Sequence, residues 1–427
     1  MEKKIKSVTI KGLWGVKTIK TNFLEDINIF IGSNGTSKTT FLSLIESVLQ
    51  VDMNVLNIIY FDRIIIEIEN DIFQITTINV EKKENEIPLV IYNIDGNKFE
   101  IPCIDIARRG YNRFPFSVRE EYLRLKKILE SLINISWISV HRESISQDEI
   151  DRGRERNKNT VDERLDELMR KLTVYQLQLE SEASKISDKF KEDVFTLMLY
   201  NPQFDKVDAE RFNQFDTKLI KKDLYTTYKE LGVSIKDKSD IINNHIVNLS
   251  VAIEKIKTKQ TLVINDVFPL SLVNRTLSLI EISKNSESNK QDIFKPINLY
   301  LDSLKKFMPD KDFKLDKDSS GQLEIKLKNK FQDSIPLQLF SLSSGEKQLV
   351  ILLTETLLQK QESYLFIADE PELSLHISWQ RQIIESLRDL NPNAQIVVAT
   401  HSPEIAGKWS NKIINMENIT SYEHNNF

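Results

Sequence analysis

The sequence predicts an α/β protein in which a large helical insertion separates two lobes that contain β-strands. Residues 27–49 form an apolar strand, a glycine-bearing loop and a helix in direct succession. Residues 364–370 and 395–400 are two more apolar strands, each followed by polar side chains. The chain between these regions changes to long charged stretches with helical periodicity. We therefore predict an N-terminal lobe, a helical insertion and a C-terminal lobe at residues 1–143, 144–310 and 311–427.

The N-terminal lobe is predicted to be rich in antiparallel β-structure. Residues 5–10 and 16–21 alternate between apolar and polar side chains on either side of a glycine-containing turn, which indicates a hairpin. A four-stranded meander follows, with predicted strands at residues 63–69, 71–77, 88–94 and 98–101. A short apolar strand is predicted at residues 135–140.

The loop between the strand and the helix at residues 27–40 has the composition of a phosphate-binding loop. A loop that opens a helix N-terminus offers backbone N–H donors and positive potential to a phosphate. Its sequence matches G-x-x-x-x-G-K-[ST] except that Ser37 stands where the last glycine belongs. In this pattern Lys38 reaches the β- and γ-phosphates and Thr39 offers its hydroxyl to Mg²⁺. The predicted ATP-binding residues are Gly32, Ser33, Asn34, Gly35, Thr36, Ser37, Lys38, Thr39 and Thr40.

The insertion is predicted to be helical throughout. Its best periodic segment steps by three and four residues, as in a coiled coil or an antiparallel helix pair, through Val161, Leu165, Leu168, Leu172, Tyr175 and Leu179. Further helices are predicted at residues 219–231, 241–257 and 293–307, with a polar break at 284–290. A projecting arm and a compact bundle both fit this pattern. In either form, we expect the insertion to carry contacts for assembly or for a partner.

The C-terminal lobe brings a second set of polar residues to strand ends. Strands predicted at residues 313–315 and 322–327 precede SLSSGEKQ at residues 341–348, which opens an amphipathic helix. The buried strand YLFIADE then places Asp369 beside Mg²⁺, and Glu370 is positioned to polarise an attacking water. The next strand ends in His401, which is placed to sense the γ-phosphate.

These motifs, in this order, resemble the ATP-binding-cassette ATPases, in the branch that includes the SMC, RecF and OLD-type proteins. The resemblance implies an ABC ATPase head with an antiparallel β-subdomain and a helical or coiled-coil insertion. It further implies a Walker A loop, a signature motif, a Walker B strand and a D-loop at residues 32–39, 342–348, 365–369 and 374–376. Glu370 then corresponds to the catalytic glutamate and His401 to the switch histidine. The coupling loop of this family usually carries a glutamine, and here either His141 or Gln147 takes that place.

The family also implies a shared site in a homodimer or a higher homo-oligomer. Two protomers would sandwich two ATP molecules, with Ser343, Ser344 and Gly345 of one capping the γ-phosphate bound by Lys38 of the other. This chain has Ser37 where the pattern has glycine. We expect the serine to allow ATP binding and to slow turnover, because a Cβ at such a loop position is mildly unfavourable.

Composition excludes several classes of protein. The formal net charge is −5 with 28% charged residues, so the whole chain carries no electrostatic signature of nucleic-acid binding. The single cysteine, Cys103, excludes a disulfide framework and a cysteine-built zinc site. No apolar run approaches the roughly 20 residues that cross a bilayer. We expect a cytoplasmic protein that is neither secreted nor embedded in a membrane.

Two function classes remain. The first is an ATP-dependent sensor or scaffold of a bacterial anti-phage system, similar to the ATP-binding subunits of Septu and PARIS, that controls a separately encoded nuclease or toxin. The second is a DNA-repair ATPase, similar to RecF and SMC proteins, that binds DNA directly. The short stretch after His401 has no room for the Toprim nuclease of OLD-type proteins, which favours the first class. A nucleotide-gated structural protein with negligible turnover is a remote third reading.

Overall fold

The computed structural model of the chain describes residues 3–83, 88–103, 116–139, 160–201, 212, 215–234, 238–261, 263–315, 321–328 and 335–422. These residues form two compact units. The first consists of Met1–Thr173 together with Ile297–Phe427, and the second of Val174–Pro296. Both divisions fall inside long helices, within the segment that the sequence assigns to the insertion. The predicted fold class, an α/β head with an antiparallel β-subdomain and a large helical region, is confirmed.

The strands in chain order are β1 (Lys3–Leu13), β2 (Lys17–Asn22), β3 (Ile27–Ile31), β4 (Arg63–Asn70), β5 (Ile75–Lys83), β6 (Leu89–Ile94), β7 (Asn97–Pro102), β8 (Asn134–Ser139), β9 (Lys311–Leu315), β10 (Leu323–Leu327), β11 (Ile335–Leu337), β12 (Tyr364–Asp369), β13 (Gln395–Ala399), β14 (Ile413–Asn415) and β15 (Thr420–Tyr422). The helices are α1 (Lys38–Gln50), α2 (Met53–Ile58), α3 (Phe116–Leu132), α4 (Thr160–Leu197), α5 (Thr217–Glu230), α6 (Ser239–Lys257), α7 (Ile264–Phe307), α8 (Ser344–Leu357), α9 (Ile377–Gln380), α10 (Ile383–Leu390), α11 (Pro403–Lys408) and α12 (Met416–Ile419).

A five-stranded parallel sheet positions the candidate site. Its order is β14-β3-β13-β12-β8, so strands from both ends of the chain lie side by side. Every residue of β13 is buried, as is all of β12 except its first residue. Burial on both faces explains why these strands are continuous apolar runs. The carboxyl ends of β3, β12 and β13 therefore meet at one edge of the sheet.

A seven-stranded antiparallel sheet forms the β-subdomain, in the order β15-β2-β1-β4-β5-β6-β7. The predicted hairpin of β1 and β2 and the meander of β4 to β7 are confirmed. The predicted strand at residues 71–77 is wrong in its limits, because β5 begins only at Ile75. The Asn70 side chain accepts hydrogen bonds from the N–H groups of Ile72 and Gln74 and so holds these residues in a turn.

The core of the first unit lies around α1, which is buried along most of its length. Phe41, Leu44 and Val48 of this helix are fully buried in one apolar cluster with side chains of both large sheets and of α3. α1 is therefore fixed on several sides. The loop before it starts from a rigid strand and ends at a rigid helix.

The predicted polar break at residues 284–290 is wrong, because α7 runs through it without interruption. At the two ends of this stretch, Lys284 pairs with Asp223 at 2.7 Å and Lys290 with Glu230 at 3.2 Å. Glu230 also accepts a hydrogen bond from Ser283, the residue before the stretch, at 2.7 Å, so polar side chains here have tertiary partners. The second unit also contains α5, α6 and two apolar clusters. Within the described residues, no helix combines the length and apolar character needed to span a membrane.

The predicted seam of α4 is buried within the single chain. Its buried side chains, each at most 7% exposed, are Leu165, Leu168, Leu172, Tyr175 and Leu179. At the start of α4, Arg164 binds Glu355 of α8 at 2.7 Å. The seam is therefore satisfied by internal packing and ion pairing, and it does not present a bare coiled-coil stripe. The role of the insertion in assembly stays a prediction.

Candidate functional site

The predicted phosphate-binding loop, called the phosphate loop below, joins β3 to α1 and contains two residues in the left-handed conformation. Gly35 has φ +83° and Ser37, the N-cap of α1, has φ +68° and ψ +27°. Thr36 closes the turn by donating its hydroxyl to the carbonyl of Ser33 at 2.8 Å. The Lys38 ammonium donates to the carbonyls of Gly32 and Ser33 at 2.8 and 3.3 Å. The loop therefore curls around the lysine, as expected of a structure that presents a cation and backbone donors to phosphate.

Two residues far away in sequence brace this loop. Glu417 of α12 accepts a hydrogen bond from the Ser33 hydroxyl at 2.8 Å. Lys17 places its ammonium 3.5 Å from the Gly35 carbonyl and 3.4 Å from the Ser37 hydroxyl. Sequence analysis did not identify either residue, because neither belongs to a local motif. They show that the Ser37 hydroxyl has a partner inside the chain.

The carboxyl ends of β12 and β13 bring the three predicted acid and base groups together. Asp369 ends β12 and is only 2% exposed. Glu370 follows with φ +50°, a left-handed conformation that is unfavourable for a non-glycine residue, and its N–H donates to the Ala399 carbonyl at 2.8 Å. His401 lies beside it, with Nε2 at 3.8 Å from the Glu370 Oε1. The backbone thus holds the Glu370 carboxylate next to the imidazole.

The charge of Lys38 in the phosphate loop interacts with the carboxylates at the end of β12. Burial lowers the pKa of the Lys38 ammonium, and the negative charges of Glu370, Asp369 and Glu372 oppose that change. One lysine accordingly faces three carboxylates. Such an excess of negative charge suits a divalent cation.

A magnesium ion fits the donors that the site offers. The Thr39 hydroxyl and the Asp369 carboxylate offer oxygen donors, and Mg²⁺ is commonly held by one or two such groups together with phosphate oxygens and water. Among the described residues, no cluster of three or more His, Cys, Asp or Glu side chains could hold a metal alone. The chemistry of the donor set therefore matches a metal that arrives with its nucleotide.

The signature segment opens α8 with a complete capping box. The Ser343 hydroxyl accepts from the Glu346 N–H, and the Glu346 carboxylate accepts from the Ser343 N–H. Lys311 donates to the other Glu346 oxygen at 2.6 Å. Ser343 and Ser344 are exposed. A partner molecule can therefore reach these two hydroxyls.

Gly345 has a packing role that the sequence did not indicate. A Cβ built on this residue would lie 2.2 Å from the Ser374 carbonyl oxygen, which is far closer than any real contact. Ser374 belongs to the predicted D-loop and itself has φ +70°. The signature helix therefore meets the D-loop backbone within one chain, and Gly345 permits this approach.

Glu372 and Gln380 are further residues of this edge that sequence reasoning missed. The buried Glu372 Oε1 accepts from the Thr400 hydroxyl, the His401 N–H and the Ser402 N–H at 2.5, 2.9 and 3.2 Å. Gln380 donates to the Leu375 carbonyl at 3.0 Å and accepts from the Ser402 hydroxyl at 2.7 Å. The available signal was an acidic residue two positions after Glu370, inside a segment with few charges. The coupling-loop candidates His141 and Gln147 lie outside the described residues.

Comparison with solved structures returns SMC head domains. The SMC head from Pyrococcus furiosus bound to the C-terminal domain of ScpA has 15% identity and a TM-score of 0.45, covering 99% of this chain and 96% of that chain. The SMC head with a coiled coil and joint from Pyrococcus yayanosii has 15% identity and a TM-score of 0.39, covering 97% and 95% of the two chains.

Comparison with sequences returns a family and several relatives, two of which are retron ATPases. The Retron Vc95 probable ATPase of Vibrio cholerae is 26% identical over 420 residues, which cover 94% of this chain and 71% of that protein. The Retron Ec83 probable ATPase of Escherichia coli is 33% identical over 85 residues, which cover 17% of this chain and 16% of that protein. The model of the AAA_15 family, an AAA ATPase domain, matches residues 4–406. The chain, with its phosphate loop and acidic strand end, therefore belongs to the AAA_15 family of AAA ATPase domains.

Proposed function

We propose that this chain binds ATP with Mg²⁺, hydrolyses it slowly, and acts as the nucleotide-dependent sensor or scaffold of a bacterial anti-phage defence system. The observation that carries the ATPase part is the convergence of Lys38, Asp369, Glu370 and His401 at one edge of the parallel sheet. Lys38 begins α1, Asp369 and Glu370 stand at the end of β12, and His401 follows β13. The Glu370 and His401 side chains are 3.8 Å apart. The AAA_15 match supports the same reading.

Each side chain has a defined task in the proposed reaction. Lys38 exchanges its bonds to the Gly32 and Ser33 carbonyls for phosphate oxygens of ATP. The Glu370 carboxylate orients the attacking water and accepts its proton. His401 stands next to that carboxylate and contacts the γ-phosphate. Thr39 and Asp369 would hold Mg²⁺, which supplies charge neutralisation at the β- and γ-phosphates.

The proposed ATP site is completed by a second copy of the chain. Ser343, Ser344 and Gly345 stand at the start of α8, and the hydroxyls of both serines are exposed to a second molecule. In the proposed homodimer these residues of one protomer cap the γ-phosphate held by Lys38 of the other. Nucleotide then lies in the interface, so ATP binding stabilises the dimer by linkage.

The proposed role in defence rests on two supports. The first support is that two relatives are named as probable ATPases of retrons. The motifs found in this sequence provide for ATP hydrolysis alone, so a separately encoded nuclease or toxin would act on the final target. Similarity to the Septu and PARIS subunits and a cytoplasmic location stay predictions. Direct DNA binding by this chain is the competing outcome.

The ATPase proposal is tested with purified wild-type protein, Glu370→Gln, and the control Glu362→Gln. Glu362 is an exposed carboxylate just before the same strand. We expect Glu370→Gln to lower the hydrolysis rate by roughly 100-fold or more and to retain ATP binding, because it removes the base alone. The control should match the wild type. Equal rates in all three proteins would refute the proposed role of Glu370.

The proposed division of labour is tested by co-expression with the neighbouring genes. We expect a neighbouring nuclease or toxin to co-purify with this chain, and its activity to depend on whether the ATPase is wild type or Glu370→Gln. The purified chain alone is incubated with MgATP and plasmid or RNA. Cleavage by this chain alone, lost in Glu370→Gln, would overturn the proposal.

A further inference from the structure

Glu372 is a buried carboxylate, and burial of a carboxylate is unfavourable unless other groups stabilise it. It lies two residues after Glu370 and is 8% exposed. Its Oε1 receives three hydrogen bonds, all from neutral donors of the consecutive residues 400–402. Among the described residues, its Oε2 is buried without a hydrogen-bond partner. An isolated buried charge is unfavourable, and here three hydrogen-bond donors stabilise it.

The three donors belong to the segment that carries His401. The central one is the backbone N–H of His401 itself, and the flanking donors are the Thr400 hydroxyl and the Ser402 N–H. Gln380 forms a second connection, from the Leu375 carbonyl to the Ser402 hydroxyl. Glu372 and Gln380 therefore both tie the segment after β12 to residues 400–402 after β13.

The His401 side chain is 40% exposed, so the position of its ring depends on how its backbone is held. We infer that Glu372 is a positioning residue of the ATPase site: by binding the His401 backbone N–H and its two neighbours, it sets the imidazole beside the Glu370 carboxylate. This inference rests on the proposed function, because it assigns Glu372 a part in the same reaction. Glu372 itself touches neither the water nor the phosphate in this role.

The test compares Glu372→Gln with Glu404→Gln. Glutamine keeps the Oε1 acceptor and removes the negative charge, so the three donors retain a weaker partner. Glu404 is a suitable control, since it lies two residues after Ser402 and makes a partly exposed ion pair with Arg381. We expect Glu372→Gln to lower kcat by about 10-fold or more and to leave the Kd for ATP within about threefold, a split that indicates a role beyond binding. The control should change neither.

A double mutant separates positioning from general damage. If Glu372 acts through His401, then Glu372→Gln has no further effect on kcat, beyond about twofold, when introduced into His401→Ala. Additive losses in the double mutant would overturn the inference. If Glu372→Gln does not fold, Thr400→Val removes one of the three donors from a fully buried residue and should show the same dependence on His401.

A measurement without nucleotide keeps this inference separate from the proposed function. His401 is one of five histidines, so its imidazole NMR resonances can be assigned by their loss in His401→Ala. We expect these resonances to move in Glu372→Gln and to stay in place in Glu404→Gln. Unmoved resonances in Glu372→Gln would overturn the positioning role. Moved resonances with no hydrolysis in the wild type would instead count against the ATPase proposal.

Discussion

Helices α1 and α8 both begin at a serine N-cap in a segment that contains glycine, but their first turns are satisfied in opposite ways. In the described part of the chain no side chain caps α1, whose N-cap Ser37 is left-handed and whose first turn has no acidic residue. α8 begins with the reciprocal bonds of Ser343 and Glu346, and Lys311 neutralises the same carboxylate.

This difference indicates what each helix can do by itself. An uncapped first turn leaves N–H donors and the positive end of the helix dipole for an anion. A capping box uses those donors, and its carboxylate reduces the positive potential. We infer that α1 can bind a phosphate within one protomer, whereas α8 contributes mainly the Ser343 and Ser344 hydroxyls to a phosphate that is already bound elsewhere.

The largest effect should come from removing the cation at α1. We expect Lys38→Ala to weaken ATP binding by about 100-fold or more, because charge-assisted hydrogen bonds contribute about 1.5–3 kcal/mol each and Lys38 makes more than one. Lys347→Ala near the start of α8 is the matched control. The Lys347 ammonium pairs with Asp162 of α4 at 2.8 Å, so affinity should stay within about threefold. Calorimetric titration that gives equal losses would remove the distinction between the helices.

The two helix starts should also respond differently to an added methyl group. Gly345→Ala is expected to destabilise the protein by about 1–3 kcal/mol, because the Cβ would lie 2.2 Å from the Ser374 carbonyl oxygen. Gly35→Ala meets nothing within 4 Å and is expected to cost about 1 kcal/mol, because Gly35 has φ +83°. Urea unfolding without nucleotide measures both values. If the Gly345→Ala protein is as stable as the wild type, the backbone at Ser374 can move to accommodate the Cβ.

A smaller effect is expected at Ser37. Ser37→Gly removes a side chain from a left-handed residue and should stabilise the loop by about 1 kcal/mol or less, with faster hydrolysis. Ser37→Ala keeps the backbone strain and loses the contact with Lys17, so it should be no more stable than the wild type. Thermal unfolding and phosphate release report the two effects. If Ser37→Gly changes neither stability nor rate, the serine at this position has no effect, and the prediction of slow turnover is wrong.

The smallest effect concerns pH at α8. Burial raises the pKa of Glu346, but hydrogen bonds from Lys311 and Ser343 outweigh it and hold the pKa below its ordinary 4.5. Glu346 therefore contributes stability above pH 4.5 that is lost as pH falls through its lower folded value. Lys311→Met should reduce this acid sensitivity, and Lys314→Met, an exposed lysine on the same strand, should preserve it. Identical acid-unfolding curves for the two variants would show that the lysine bond is not responsible.

The sequence was sufficient for features that are local. The loop after β3 and the strands predicted at residues 364–370 and 395–400 are contiguous patterns, and the structure contains the loop and both strands, which end at Asp369 and Ala399. Glu372 was missed because its partners lie 28 to 30 positions away, beyond the reach of any periodic pattern. Glu417 was missed for the same reason, since it meets Ser33 across 384 positions.

The polar stretch at residues 284–290 teaches the complementary lesson. Its polar side chains predict an interruption of the helix, because helix propensity depends only on the local sequence and takes no account of a distant carboxylate. Glu230 supplies that carboxylate, and the helix continues. Polar residues inside a predicted helix can therefore mark a buried partner as well as an end.

The pairing of β3 with β13 and β14 has a consequence for the order of events during synthesis. β3 is made within the first residues of the chain, but its neighbours in the sheet are residues 395–399 and 413–415. At about 5–20 residues per second, the ribosome needs roughly 20 to 80 seconds between these segments. The phosphate loop therefore leaves the ribosome attached to a strand that still lacks both neighbours. A nascent or prematurely released chain is expected to be unable to hold nucleotide, so that only complete molecules can respond to ATP.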